Sequence, residues 1–217
     1  MATSKLTPTS YAILGLLAVK PWTTYELTQQ MHRALGQFWP RAESKLYEEP
    51  KKLVAAGLAR ATPETVGQRP RTVYSITPKG RRAMAAWVPS PGAGPVIEFE
   101  QLVKVFFAEH GTKADLLRNI EGVRAWVDVR QEAGGGVSQA YLNGEGAFPE
   151  RLPWLILCGR FLDDITRTVE DWVDWAAAEV AGWPENLARA EPDWTTLERM
   201  AAHNDEYLAR REDEAAS

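Results

Sequence analysis

The chain has 217 residues, 45% of them apolar, which is enough for one large or two small cores. No run of 18 apolar residues occurs, the first nine residues lack the basic and apolar regions of a secretory signal, and a single cysteine, Cys158, excludes an internal disulfide framework. A membrane span and a secreted, disulfide-stapled fold are therefore not expected, and the composition fits a cytoplasmic protein.

The net charge of −4 hides a polarity along the chain. Residues 1–88 carry 13 Lys and Arg against 5 Asp and Glu, a net of +8, while residues 89–217 carry 12 against 24, a net of −12. A basic module joined to an acidic one is the expected arrangement. The basic half can meet phosphates, and the acidic half would be repelled by them. Pro89-Ser-Pro-Gly-Ala-Gly-Pro95 is rich in breakers and separates two expected domains, 1–90 and 96–217.

In chain order, Ser10 to Val19 reads as a short helix that is apolar nearly all round. Thr23 or Thr24 can cap a second helix, with Leu27, Met31, Ala34 and Leu35 as its stripe. A third helix is expected over Arg41 to Ala56, stopped by Gly57. Leu58 to Glu64, a turn around Gly67 and the alternating Arg71 to Thr77 read as a two-strand wing, and Pro78 opens a last short helix to Val88.

Beyond the linker everything reads as helical. Phe99, Leu102, Val103, Phe106 and Phe107 follow helical spacing, and Thr112 with Asp115 forms a capping-box pattern. Leu116, Ile120, Val123 and Val127 continue one face, and the glycines from 134 onward predict a loop over residues 134–151. A helix of about thirty residues is expected from Trp154 to Trp183, roughly 45 Å long. Its near-heptad seam of Leu162, Ile165, Val169, Trp172 and Val173 is a candidate dimer interface, as is Phe106. Asp193 to Arg211 reads as a further helix with a charged, frayed end.

The third helix carries the functional argument. At 100° per residue, Leu46, Pro50, Leu53, Val54 and Gly57 fall on one side. Arg41, Ser44, Tyr47, Glu48, Lys51 and Ala55 fall on the other, flanked by Lys45 and Lys52. Cations, hydroxyls and one carboxylate on one face suit the major groove, where Lys and Arg meet guanine or phosphate and Glu accepts from cytosine. Arg69 and Arg71 beside the wing turn suit a phosphate or the minor groove. Tyr25, beside Thr24 at the start of the second helix, either donates to a phosphate or packs in the core with only its hydroxyl exposed. Pro50 predicts either a kink or an irregular helix start.

These residues in this order resemble the PadR family of transcriptional regulators. The resemblance rests on Ser10-Tyr-Ala-Ile-Leu-Gly-Leu-Leu17, Thr24-Tyr-Glu-Leu27, Lys45-Leu-Tyr47 with Leu53 to Leu58, and Arg71-Thr-Val-Tyr-Ser-Ile-Thr-Pro-Lys-Gly80. Phe99-Glu100, Phe106 to His110 and Phe148 to Pro153 resemble the family's helical C-terminal domain more loosely. The family often places Pro directly after the recognition-helix Tyr; here Pro50 lies three residues beyond Tyr47. The resemblance implies a mainly α fold, an N-terminal winged helix-turn-helix followed by an all-helical dimerisation domain. It also implies a homodimer on a palindromic operator in duplex DNA, repression of nearby genes, and release by a small molecule. Trp126, Trp154 and Trp175 are candidates to contact an apolar or aromatic effector, against the plainer reading of nine tryptophans as core and interface.

Cys158, on an apolar helix, is expected to be buried. The three histidines have no ligand spacing among themselves or with Cys158, so neither metal nor cofactor is expected. No nucleophile-base pair points to an enzyme. The competing reading is a winged-helix protein-interaction module without sequence-specific DNA binding.

Overall fold

A computed structural model describes residues 6–67 and 69–216, with the side chains of Val66, Arg69 and Ala216 outside that description. The chain divides into two compact units, Met1–Val96 and Ile97–Ser217. In the first, the order is α1 (Pro8–Val19), β1 (Trp22–Thr23), α2 (Thr24–Gln30), α3 (Glu43–Ala55), β2 (Ala59–Val66), β3 (Arg69–Ile76) and α4 (Pro78–Trp87). Thr7 caps α1 reciprocally with Ser10, and Pro8 takes the first helical position, where its missing N–H costs nothing. Thr23 caps α2 with Glu26 in the same way.

The expected helical stripe through Leu35 departs from α geometry at Met31, where a π turn runs from Met31 to Leu35. The altered phase leaves Met31 buried and Ala34 exposed. The two-strand wing gains a third strand. Trp22 and Thr23 pair with Tyr74 and Val73, so the sheet order is β1-β3-β2, all antiparallel. The core of this unit is Ile13, Leu14, Leu17, Trp22, Leu27, Met31, Leu46, Leu53, Leu58 and Tyr74. Stacking of Tyr11 on Trp87, centroids 4.6 Å apart, ties α4 to α1.

The second unit contains α5 (Glu100–Phe106), α6 (Lys113–Glu121), α7 (Arg124–Leu142), α8 (Leu152–Gly182) and α9 (Trp194–Ala216). The expected loop begins later than glycine content alone predicts: α7 continues through Gly134, Gly135 and Gly136 to Leu142. The capping box of α6 is present, with Thr112 and Asp115 as its two members. Leu116, Ile120 and Val123 meet Val173, Ala176 and Val180 of α8 in the core. Lys113 donates to the carbonyls of Ala181 and Trp183, closing the C-terminal end of α8. Arg124 bridges Glu121 and Asp174 and fixes the start of α7 against α8. No helix among the described residues is long and apolar enough to cross a membrane.

Candidate nucleic-acid interface

The inner side of α3 is fixed at both of its halves. Leu46 and Leu53 are buried, and Pro50 is buried between them without ending the helix. A proline here removes one backbone donor, and its ring adds apolar volume to the core side. Glu49, one residue earlier, is also buried. Its carboxylate accepts a short hydrogen bond from the Ser10 hydroxyl, whose oxygen in turn accepts from the Thr7 backbone N–H at 3.0 Å. Lys52 Nζ lies 3.4 Å from the other Glu49 oxygen. Glu49 thus joins the capping turn of α1 to the middle of α3. Sequence reasoning left it unassigned, although it is three residues from Leu46 and four from Leu53, on the inner face.

The C-terminal end of α3 is held as firmly. Gly57 takes φ +71°, the left-handed geometry that glycine adopts without strain. The Thr77 hydroxyl donates to the carbonyls of Gly57 and Leu58, and Lys79 Nζ donates to the carbonyl of Ala56. Gly80 admits this packing, because a Cβ there would lie 2.2 Å from the Leu58 oxygen.

Held in this way, α3 turns Ser44, Lys45, Tyr47, Glu48, Lys51 and Lys52 outward, all exposed. Lys45 and Lys51 form no ion pair or hydrogen bond through their side chains among the described residues, and Lys52 is partly engaged by Glu49. Arg41 sits before α3 with its guanidinium over the Trp39 ring at 4.0 Å and donates to the Pro40 carbonyl. At the start of α2, Tyr25 is exposed and its hydroxyl accepts from Gln29 Nε2 at 2.5 Å. Thr24 is half-buried, and its carbonyl accepts from the Thr28 hydroxyl.

The wing is built on β2 and β3. Arg71 lies opposite Glu64 in the register and donates to it twice, at 3.2 and 2.8 Å. The Arg69 side chain is outside the described residues. Hydrogen bonds from Thr23, aided by the nearby cations Arg71 and Lys20, hold the Glu26 carboxyl below the usual carboxylate range.

The residues assigned to dimer contact are divided by the fold. Phe106 is 78% exposed and packs edge-on against Phe107. Leu162 and Ile165 are half-buried. Val169 and Trp172 pack on the core of their own unit, and Val173 is completely buried in it. A heptad seam does not distinguish a partner helix from the chain's own α6, and here α6 takes Val173. Most of the exposed large apolar side chains of α8 lie instead toward its N-terminus, Trp154, Ile156, Leu157 and Phe161, with Trp175 exposed further along. Cys158 is exposed there as well, contrary to the expected burial, because this end of α8 has little of its own unit to cover it.

The three tryptophans assigned to an effector do not converge. Trp154 and Trp175 lie on one helix, about 31 Å apart along its axis. Trp126 is on α7, under the guanidinium of Arg130 at 4.8 Å. A groove of about 360 Å³ in this unit is lined by other residues, among them Val103, Lys104, Phe107, His110 and Leu116.

Residues 13–86 match the model of the "Transcriptional regulator PadR-like family". Among curated proteins, the negative transcriptional regulator PadR of Bacillus subtilis is 30% identical over 99 residues, 45% of this chain and 54% of that protein. The aligned stretch therefore spans about half of that relative. Among solved structures, Bacillus subtilis PadR in complex with operator DNA is similar at a TM-score of 0.65 and 19% identity, covering 80% of this chain and 99% of that one. The same regulator in complex with p-coumaric acid is similar at a TM-score of 0.57 and 23% identity, covering 79% and 96%. At these identities the structural likeness establishes a shared fold. The family match lies on α1 to α4, where the three-helix core, the outward face of α3 and the wing are found, so it is this N-terminal part of the chain that is similar to the PadR-like regulators.

Proposed function

We propose that this chain is a homodimeric, sequence-specific DNA-binding regulator of the cytoplasm that represses nearby genes and is released by a small molecule. The observation that carries this reading is the outward face of α3, where Lys45 and Lys51 stand unpaired among the described residues beside Ser44, Tyr47 and Glu48. Such a face offers cations to phosphate or guanine and a carboxylate to cytosine. The +8 charge of residues 1–88 supplies the sequence-independent attraction. The complex of the Bacillus regulator with operator DNA supports the same use of a shared fold.

A dimer is supported by the apolar side chains that the second unit leaves exposed, Leu157 at 72% and Trp194 at 64% among them. Two-fold symmetry would set two copies of α3 in successive major grooves, about 34–36 Å apart, and would require a palindromic site. Release by an effector is supported by the p-coumaric acid complex of the Bacillus regulator. Repeated selection from a random duplex pool tests the reading. Enrichment of an inverted repeat with half-sites one helical turn apart is expected. Recovery of no shared sequence would favour the protein-interaction module.

A further inference from the structure

We propose that Glu64 withholds Arg71 from DNA and so lowers the protein's affinity for duplexes of any sequence. The inference rests on the reading of the wing as a DNA contact. Its ground is the strand register, which sets the two residues directly opposite one another near the wing turn. Arg71 donates to the same Glu64 oxygen from Nε at 3.2 Å and from Nη2 at 2.8 Å. Both side chains keep about two-fifths of their surface exposed, at 44% and 42%, so the pair stands in reach of an incoming strand.

An exposed pair of this kind is weak, because water screens it and two long side chains must be held in place. A phosphate can therefore replace the carboxylate, but only by displacing it. Glu26 adds to the restraint: its carboxylate is fixed by Thr23 at 2.7 and 2.8 Å and interacts electrostatically with Arg71. Arg71 is thus a cation offered conditionally, in contrast with Lys45 and Lys51 on α3. Phosphate contacts raise affinity without regard to sequence, while base contacts confer discrimination. Holding back one phosphate-binding cation per protomer shifts the balance toward the contacts made by α3.

The test is a double-mutant cycle of wild type, Glu64→Gln, Arg71→Ala and the double variant. Each is measured by fluorescence anisotropy on the duplex from immediately upstream of the gene and on a scrambled duplex, across a salt series. Glu64→Gln is expected to tighten binding to both duplexes about fivefold at low salt. It should also steepen the log–log salt slope by about two per dimer, one for each freed arginine. With Arg71→Ala in place, Glu64→Gln should change affinity less than about twofold. An unchanged affinity for the scrambled duplex, or an equal gain without Arg71, overturns the inference. Binding by wild type with Glu64→Gln unchanged refutes the inference alone; failure of all four proteins to bind either duplex refutes the reading of the surface as well.

Discussion

Glu49 is an acidic side chain on the side of α3 that otherwise carries Leu46, Pro50 and Leu53, and its burial makes sense only through its partners. Ser10 and Lys52 satisfy its two oxygens and join α1 to the helix that carries the candidate reading face. Glu49→Ala should therefore cost about 1–3 kcal/mol of stability, because the Ser10 hydroxyl loses its acceptor inside the core. Urea denaturation checks this, and Glu49→Gln, which keeps an acceptor, should lose less. The outward residues of α3 were legible in the sequence because a helical wheel needs only spacing. Glu49 was not, because a buried carboxylate is recognised by its partner, and Ser10 lies 39 residues away. The Glu64–Arg71 pair was hidden for a related reason: alternation reveals which strand residues share a face, but the register decides which of them meet.

At the scale of single elements, α6 and α7 give opposite lessons. The Thr112–Asp115 pattern was readable because its two members are three residues apart, and the box is formed. Hydrogen bonds from the Thr112 hydroxyl, then from Arg118 and the Thr112 backbone, hold the Asp115 carboxyl down from 3.8 to about 2. Its contribution to stability is thus fully present above pH 3.8 and disappears as pH falls through about 2. Carboxyl chemical shifts followed by NMR should show Asp115 titrating near 2 in the wild type and closer to 3.8 in Thr112→Val.

The three glycines of α7 were read as loop because each costs helix stability, yet flanking residues carry the helix through them. A Cβ at any of the three would meet nothing within 4 Å. Replacing all three by alanine should stabilise the protein by about 2–3 kcal/mol, seen as a raised midpoint in thermal denaturation. An unchanged or lowered midpoint would contradict a continuous α7.

For the molecule as a whole, the charge split pointed to a basic and an acidic part, and the two compact units divide along the chain after Val96, next to the breaker-rich stretch. The proposed dimer surface was less legible. The heptad spacing of α8 identified an apolar seam, but α6 covers Val173 within the protomer, and most of the exposed large apolar side chains lie nearer the start of α8. Phe161→Asp is therefore expected to convert a dimer to a monomer in sedimentation velocity, since Phe161 is 51% exposed in the protomer and its loss should leave the fold intact. Val173→Asp should instead unfold the unit, because it buries an unpaired charge. A Phe161→Asp protein that remains dimeric would move the interface elsewhere.

On the proposed function, the outward face of α3, with the wing, binds duplex DNA and reads its sequence. Fluorescence anisotropy on the duplex immediately upstream of the gene, against a scrambled duplex and across a salt series, tests it most directly. Tight binding that is lost on scrambling is expected. For a dimer touching about eight phosphates, the log–log salt slope should be near −7. Lys51→Ala should weaken the specific complex by at least about 1 kcal/mol. Equal, weak binding to both duplexes, with Lys51→Ala indistinguishable from wild type, would contradict it.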